Sequence, residues 1–201
     1  MKTINKENII LASGSPRRKE LMARAGIDFK IHVADVDESE VDPNMAPEEY
    51  VCLLSKIKAQ AVAPIYPGAW TIGADTIVAV GNTILGKPAG HRQAVDMLTR
   101  LSGRDHSVLT AFTITRPSTN DMVTKAVNTR VRFKKLSTDE INWYAGTGEP
   151  YDKAGGYGIQ GIGAFLVQEI SGSYTNVVGL PVCELIKTLL SLGAISFKEA
   201  K

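Results

Sequence analysis

The stretch Asn8-Ile-Ile-Leu-Ala-Ser-Gly-Ser-Pro-Arg-Arg18 decides the fold of this chain. Its apolar first half is typical of a short buried strand, and the Ser13-Gly-Ser15 segment that follows is typical of a tight turn. Pro16 suits the first turn of a helix that Ser15 can cap, and Gly26 is placed to end that helix. This strand, turn and helix form the best-defined local structure in the sequence.

Strands and helices follow one another along the rest of the chain. Strands are predicted at residues 29–36, 71–80, 107–115, 122–133 and 165–170, and helices at residues 48–63, 90–101, 137–144 and 180–192. The 71–80 strand is apolar apart from Asp75 and its threonines, so we expect it at the centre of a sheet. Internal repeats and low-complexity stretches are absent from the sequence. The pattern predicts one α/β domain over residues 1–201.

Composition and charge exclude several classes of protein. With 44% hydrophobic and 22% charged residues, the chain has the balance of a folded globular protein. A net charge of +2 without a basic stripe disfavours a nucleic-acid partner. No apolar run approaches the roughly 18 residues of a membrane span, and the first residues are polar. We therefore expect no membrane partner and a cytoplasmic location.

Cysteine and histidine usage gives little support to metal or histidine chemistry. Cys52 and Cys183 are isolated and far apart, which favours two reduced structural thiols over a disulfide framework or a zinc site. The three histidines, His32, His91 and His106, are dispersed and show no metal-ligand spacing. A histidine-based mechanism is disfavoured.

The start of the first helix is a candidate phosphate site. Arg17 and Arg18 fall in the first turn, where the helix dipole disfavours cations and the free amides attract anions. Ser13 and Ser15 can add hydroxyl donors to the same ligand. The alternative is a solvated arginine pair on a surface helix. Neither the Walker phosphate-loop pattern nor the dinucleotide-binding glycine pattern is present in this segment.

Carboxylates are candidates for a metal site. Asp75 lies within an apolar strand, where a buried carboxylate requires a metal ion, a cation or donated hydrogen bonds. Asp37 and Glu38 form a second acidic pair in a loop, and together with Asp75 they can supply the oxygen ligands that Mg²⁺ prefers. An ordinary buried ion pair at Asp75 and a solvated turn at residues 37–38 are the alternatives.

Two lysines and a glycine-rich segment complete the candidate residues. Lys58 and Lys87 can bind the remainder of a polyphosphate, with Lys87 favoured because Pro88 follows it, although surface lysines are the common case. Residues 152–163 contain five glycines, and Lys153, Tyr157 and Gln160 are possible ligand contacts there. Gln160 can both donate to and accept from the edge of a base. A plain irregular loop explains the glycines equally well.

Six motifs together resemble the Maf family. They are Leu11-Ala-Ser-Gly-Ser-Pro-Arg-Arg18, Gly73-Ala-Asp-Thr-Ile77, Gly86-Lys-Pro88, Leu101-Ser-Gly103, Asp152-Lys-Ala-Gly-Gly-Tyr-Gly-Ile-Gln-Gly161 and Val178-Gly-Leu-Pro181. Their order and spacing agree with that family from about residue 8 to 192. The resemblance implies a fold like that of the inosine triphosphate pyrophosphatases, with a mixed twisted sheet flanked by helices and two lobes around a central cleft.

The resemblance also implies an activity and a set of site residues. The activity is cleavage of a nucleoside triphosphate to the monophosphate and pyrophosphate with Mg²⁺ or Mn²⁺. The implied residues are Asp75 as the catalytic carboxylate, Glu38 and Asp75 as metal ligands, and Ser13, Arg17, Arg18, Lys58 and Lys87 as substrate-binding groups. Arg17, Thr76 and Gln160 occupy the three selectivity positions and match the branch that acts on dTTP and UTP. A role in septum formation and a homodimer are further implications.

Two alternatives to that activity stay open at the level of sequence. In the first, modified pyrimidine triphosphates are the main substrates and dTTP and UTP are incidental. In the second, the chain is a nucleotide-binding regulator of cell division with vestigial catalysis. The presence of every expected charged position in the sequence argues against the second alternative.

Overall fold

The computed structural model describes residues 3–197, with side chains from Asn5 onward. The strands are β1 Thr3–Asn5, β2 Ile9–Leu11, β3 Lys30–Ile31, β4 Trp70–Val80, β5 Thr83–Leu85, β6 Asp105–Arg116, β7 Asp121–Phe133, β8 Val167–Ser171 and β9 Ile195–Phe197. The α-helices are α1 Pro16–Arg24, α2 Pro47–Val62, α3 His91–Leu101, α4 Thr138–Ala145, α5 Tyr174–Val178 and α6 Val182–Ser191. The expected α/β fold, with helices packed on a mixed sheet, is confirmed.

A seven-stranded sheet organises the molecule. Its strand order is β3-β2-β4-β6-β7-β8, and β5 pairs with β4 off this path. Strand β2 runs parallel to β3 and β4, whereas all other pairings in the sheet are antiparallel. The remaining strands, β1 and β9, form a separate antiparallel pair.

One edge of β4 is interrupted in its middle. Strand β2 pairs with residues Trp70–Ile72, and β5 pairs on the same side with Val78–Val80. Between them, residues 73–77 pair only with β6 on the other side. The sheet therefore has a gap at the centre of β4, and this gap is where the cleft of the molecule opens.

The two faces of β4 pack against different helices because successive side chains point to opposite faces. Ile72 lies in an apolar cluster with α1 and α6, whereas Val78 on the same face lies in a second cluster with α3 and α4. Ile77, on the opposite face, packs against α2 through Val51. The two clusters on the first face form two lobes, and the interrupted segment of β4 lies between them.

Several sequence predictions need correction at the level of elements. The predicted 29–36 strand shortens to the two residues of β3, because the chain then leaves the sheet and Val33 lines the cleft. The predicted 165–170 strand begins at Val167, since Ile162–Leu166 forms a 3-10 helix. The pair of β1 and β9 and the short helix α5 were not predicted.

Local signals at helix ends are confirmed in most cases. Ser137 and Glu140 form the predicted reciprocal capping box at the start of α4. Gly26 follows the end of α1 with a positive φ of 73°, a conformation that glycine adopts without strain. Ser15 occupies the capping position of α1, but its side chain makes no capping bond; its backbone amide donates to Ser13 Oγ at 3.3 Å. The predicted cap by Ser15 is therefore wrong.

Cys52 and Cys183 are both free thiols, as the sequence indicates. Cys52 is half-buried and Cys183 is exposed, so only Cys52 fits the description of a structural thiol. No helix in the part of the chain that the structure describes is long and apolar enough to cross a membrane.

Candidate functional site

A cleft of about 840 Å³ opens at the interrupted edge of β4. A volume of this order is typical of small-molecule sites. The cleft is lined by every site residue that the family resemblance implies, namely Ser13, Arg17, Arg18, Glu38, Lys58, Asp75, Thr76, Lys87 and Gln160. The fold thus brings together residues from six segments of the chain.

An ion triad lies on the α2 side of the cleft. Lys58 Nζ donates to Asp75 Oδ1 at 2.6 Å and lies 2.7 Å from Glu38 Oε1. The Lys58 and Asp75 side chains are only 12% and 11% exposed, whereas Glu38 is 50% exposed on a 3-10 turn. Lys58 therefore supplies the positive charge that the sequence required near a buried Asp75. Asp37 does not join this group, since its carboxylate accepts from Ser39.

Close packing of α2 on β4 places the lysine against the aspartate. A Cβ atom at Gly73 would lie 2.3 Å from the Ser55 carbonyl oxygen and 2.4 Å from the Ala59 amide nitrogen. The Ser55 hydroxyl also bonds Thr113 on the neighbouring strand at 2.8 Å. Glycine at position 73 lets the two backbones approach, and Lys58 on the same helix then reaches Asp75.

The geometry of the two carboxylates suits a metal ion shared with a ligand. Glu38 and Asp75 converge on one ammonium group, and within residues 3–197 no hydrogen-bond donor reaches Asp75 Oδ2. Within this described part, no group of three or more His, Cys, Asp or Glu side chains converges, in the cleft or outside it, so the protein offers an ion two carboxylates here. Mg²⁺ at enzyme sites is commonly held by one or two carboxylates together with ligand phosphates, so these two residues fit such an ion.

Arg18 is buried and held by the protein itself. Its guanidinium donates to the Gly179 carbonyl at 2.9 Å, the Ala74 carbonyl at 2.8 Å, Ser13 Oγ at 3.2 Å and Thr76 Oγ1 at 3.0 Å. Four of the five N–H groups of the guanidinium are thus used. Burial lowers the pKa of Arg18 from its ordinary value, but an arginine stays charged. Arg18 joins α1 to β4 and to the segment after α5.

Thr76 lies on the other face of β4 from Asp75. Its hydroxyl contacts Thr110 Oγ1 at 3.0 Å, and Thr110 donates its own proton to the Asn176 carbonyl at 2.9 Å. Thr76 therefore accepts from Arg18, and its own proton has two acceptors within reach, Thr110 Oγ1 at 3.0 Å and the Gly179 carbonyl at 3.4 Å. Three neighbouring groups therefore hold the Thr76 hydroxyl in the cleft wall.

Arg17 faces the opposite wall of the cleft. Its NH1 donates to Asp152 Oδ2 at 3.0 Å, and Lys153 Nζ donates to the other oxygen of Asp152 at 2.5 Å. Burial acts to raise the pKa of Asp152, but the bonds from Lys153 and Arg17 outweigh it and hold the pKa below its ordinary value. The two adjacent arginines thus differ: Arg18 is locked in the interior and Arg17 is half-exposed.

Lys87 and Gln160 are exposed side chains on the cleft wall. The Gly86 carbonyl accepts from the Gly155 amide at 2.9 Å, which ties the segment before Lys87 to the glycine-rich segment. Gly155 has a positive φ of 70°, and a Cβ atom there would lie 2.9 Å from Val78. The glycines of this segment therefore serve close packing against β4 and not only loop flexibility.

The remaining predicted contact, Tyr157, is mainly a core residue. It is 6% exposed, and its hydroxyl bonds His106 Nε2 at 2.7 Å. Burial lowers the pKa of His106 to about 4 and raises the pKa of Tyr157. Both rings pack edge-on against Phe133. Tyr157 contributes a wall to the cleft and no free polar group.

Sequence reasoning missed three cleft residues. Glu149 accepts three hydrogen bonds beneath the glycine-rich loop, and the Gly179 carbonyl accepts from Arg18. Tyr50 lies beside the ion triad, where burial and the Asp75 and Glu38 carboxylates raise its pKa. No spacing pattern marks these positions, because most of their partners are distant in sequence, up to 161 residues away for the Gly179 carbonyl and Arg18.

The cleft combines a buried carboxylate with a cation, a metal-compatible carboxylate pair and a half-exposed arginine at the start of a helix. These features define an α/β protein whose cleft can hold a phosphorylated ligand. Residues 8–192 match the family model described as Maf-like protein, and the chain belongs to that family.

Relatives with known names support the family. The chain is 46% identical over 191 residues to a dTTP/UTP pyrophosphatase of Syntrophus aciditrophicus (strain SB), covering 95% of this chain and 93% of the relative. It is 50% identical over 189 residues to a dTTP/UTP pyrophosphatase of Syntrophotalea carbinolica, covering 93% and 86%.

Among solved structures, the chain is similar to a nucleoside-triphosphatase / dITP/XTP pyrophosphatase from Mycobacterium abscessus, with a TM-score of 0.46 and 13% identity over 92% of this chain and 94% of that one.

Proposed function

We propose that the protein is a dTTP/UTP pyrophosphatase, which hydrolyses either nucleotide to the monophosphate and pyrophosphate. The observation that carries the proposal is the triad of Glu38, Lys58 and Asp75 at the open edge of β4. It provides a carboxylate base beside a lysine in a cleft that Arg17 and Lys87 also line. The names of relatives at 46% and 50% identity support the same reaction.

Glu38 and Asp75 would hold a divalent cation, Mg²⁺ or Mn²⁺, together with the triphosphate. Such an ion, when bound, neutralises phosphate oxygens and lowers the barrier to attack at phosphorus. Lys58 contacts both carboxylates in the structure. Because binding of an ion there would compete with these contacts, Lys58 becomes available to donate to a phosphate oxygen.

The chemical step requires a base next to a water molecule. Asp75 accepts a proton from water as the water oxygen bonds to the α-phosphorus, and the bridging bond between the α- and β-phosphates breaks. Pyrophosphate leaves with the electron pair of that bond. Asp75 Oδ2 accepts no hydrogen bond from the described residues, so we assign it as the oxygen that serves as the base.

Cationic and hydroxyl groups position the triphosphate. Arg17 and Lys87 are exposed to the cleft, and Lys58 lies beside Asp75, so these three stabilise charge on the phosphate oxygens. Ser13 Oγ and the last N–H group of Arg18 lie at the start of α1 and add weaker contacts. Four protein acceptors already hold Arg18, so its main role is to orient Ser13 and Thr76.

Base selection is assigned to Arg17, Thr76 and Gln160. Uracil and thymine present a donor N–H between two carbonyl acceptors, and a glutamine amide can match one donor and one acceptor of that edge. The exposed Gln160 side chain on the cleft wall is placed for such a contact. Modified pyrimidine triphosphates with the same base edge would also bind. We place the reaction in the cytoplasm, with a nucleoside triphosphate as the partner of the cleft.

Product analysis with purified protein tests the proposal. We expect wild-type protein with Mg²⁺ to convert dTTP and UTP into monophosphate and pyrophosphate, and to act far less on CTP and GTP. Asp75→Asn should lower turnover at least about a thousandfold, as loss of a general base does, while circular dichroism stays unchanged. Release of single phosphates, or full turnover by the Asp75→Asn variant, would contradict the proposal.

A further inference from the structure

Glu149 lies beneath the glycine-rich loop of residues 158–163. Its carboxylate accepts from the Ile162 amide at 2.7 Å, the Gly163 amide at 2.9 Å and the Tyr144 hydroxyl at 2.9 Å. A Cβ atom at Gly161 would lie 2.3 Å from Glu149 Oε2, so the loop lies directly on the carboxylate. Bonds from backbone amides to a charged carboxylate are about twice as strong as neutral ones.

Tyr144 holds the other end of the same loop. Its hydroxyl donates to Glu149 and accepts from the Gly158 amide at 3.1 Å. A Cβ atom at Gly163 would lie 2.5 Å from this hydroxyl, which leaves no space between them. The loop is therefore fixed on both sides of Gln160, by Tyr144 at residue 158 and by Glu149 at residues 162 and 163.

The segment that begins with Glu149 also reaches Arg17. Lys153 Nζ donates to the Glu149 carbonyl at 2.8 Å and to Asp152, which in turn accepts from Arg17. The pair of Arg17 and Asp152 is 32% and 64% exposed, so it contributes little energy by itself. The hydrogen bonds that Glu149 accepts from Tyr144 and Gly163 are partly buried, so they stabilise this part of the cleft more than the exposed ion pair of Arg17 and Asp152 does.

We infer that Glu149 is a positioning residue that sets base selectivity. It holds Gln160 at a fixed distance from Thr76, and through Lys153 and Asp152 it also holds Arg17. This inference rests on the proposed function. Glu149 has no contact with Asp75, Glu38 or Lys58, so the ion triad does not depend on it. Loss of its charge should therefore disturb base recognition more than the chemical step.

Steady-state pyrophosphate release by Glu149→Gln, with dTTP, UTP, CTP and GTP as substrates, tests this inference. The glutamine keeps the size of the side chain but turns an amide group toward the loop amides. We expect KM for dTTP and UTP to rise about tenfold and the preference over CTP to fall about tenfold, the effect of one misplaced hydrogen bond. The kcat value should stay within about threefold of wild type. Glu169→Gln is the matched control, because Glu169 is exposed and its carboxylate contacts Arg132 outside the cleft.

A double variant shows whether Glu149 acts through Gln160. If it does, Glu149→Gln combined with Gln160→Ala should discriminate no worse than Gln160→Ala alone, since coupled sites are not additive. Additive losses, or unchanged selectivity in Glu149→Gln, would overturn the inference. If Glu149→Gln does not fold, Tyr144→Phe removes the bond to Gly158 and should give the same shift in KM and selectivity.

The wild-type protein separates the two possible failures. If it releases no pyrophosphate from dTTP or UTP, the proposed function fails. If it does so with base selectivity and both the Glu149→Gln and Tyr144→Phe variants keep that selectivity, only the role of Glu149 is wrong.

Discussion

Arg17 and Arg18 are neighbours in sequence but have different physical roles. Successive residues on a helix point in different directions and do not share a face. Arg18 therefore points into the protein, where four acceptors hold it, while Arg17 points across the cleft to Asp152. The sequence indicated a paired phosphate site, and only the three-dimensional structure separates a scaffold arginine from a cleft arginine.

Replacement of each arginine by lysine should separate these roles. Arg18→Lys keeps the charge but cannot satisfy four acceptors, so we expect a loss of about 3 kcal/mol in the free energy of unfolding. Arg17→Lys should change the free energy of unfolding by less than about 0.5 kcal/mol, because its ion pair is exposed. Urea denaturation measures both. Equal destabilisation by the two substitutions would contradict this assignment.

The sequence predicted the candidate site better than it predicted the contacts inside it. Asp75 was marked by a charge within an apolar strand, and the structure supplies its expected cation through Lys58. Glu149 carried no such mark. It lies between Gly148 and Pro150 in a polar stretch, and two of its three partners, the Ile162 and Gly163 amides, become neighbours only after the glycine-rich loop folds over it. Physical patterns in sequence report burial and local structure, whereas such contacts depend on tertiary packing.

At the level of elements, the position of α2 on β4 sets the geometry of the ion triad. Gly73→Ala should push α2 away from the strand, since the new methyl group would lie within 2.4 Å of backbone atoms. We expect a loss of about 2 to 3 kcal/mol in the free energy of unfolding and a fall in kcat, because Lys58 would move relative to Asp75. Thermal unfolding and pyrophosphate release measure the two effects.

Gly68→Ala is the matched control for Gly73→Ala. A Cβ atom at position 68 would meet no other heavy atom within 4 Å, and the φ angle there is not positive. The added methyl group should therefore change neither stability nor turnover. If Gly73→Ala behaved like this control, close packing would not be what positions Lys58.

Strand β6 carries a buried histidine that should make stability depend on pH. Burial lowers the pKa of His106 to about 4 in the folded protein, against 6.5 for an unperturbed histidine. The unfolded chain therefore binds a proton first as pH falls. The contribution of His106 is fully present above about pH 6.5, and on the order of 3 kcal/mol is lost by about pH 4.

His106→Gln tests this contribution, because its amide can still reach the Tyr157 hydroxyl but does not titrate in this range. We expect the variant to lose less stability than wild type between pH 7 and 4.5 in urea titrations. His91→Gln, at the exposed start of α3, should keep the wild-type pH dependence. Parallel pH profiles for His106→Gln and wild type would show that His106 is not the cause.

Element prediction succeeded where the signal was local and failed where it was not. Six elements fall close to their predicted bounds, namely strands β4, β6 and β7 and helices α2, α3 and α4. The signals that predict them, which are alternation, helical periodicity and caps, come from residues within each segment. The pairing of β1 with β9 joins residues about 190 positions apart, so neither strand has a local signal. The gap in β4 likewise depends on where β2 and β5 end, which no single segment encodes.

At the scale of the whole molecule, the cleft lies between two lobes that meet along β4. The first lobe supplies Arg17, whereas Lys87 follows β5 and is tied to the glycine-rich segment by the bond from the Gly155 amide to the Gly86 carbonyl. A nucleotide that contacts both sides should stabilise the whole fold, because it binds the folded chain and not the unfolded one. The size of this stabilisation reports affinity without any need for turnover.

We expect a dUTP analogue with a non-hydrolysable α,β bridge to raise Tm by about 5 to 10 °C at a hundredfold excess over Kd with Mg²⁺ present. The guanosine analogue with the same bridge should raise Tm much less, because the base contacts would be lost. In Asp75→Asn, the part of the shift that depends on Mg²⁺ should disappear, since one of the two carboxylates has gone. Differential scanning fluorimetry measures all three shifts. Equal shifts for both analogues would mean that the cleft binds triphosphate without reading the base, and no shift with either would place the nucleotide outside this cleft.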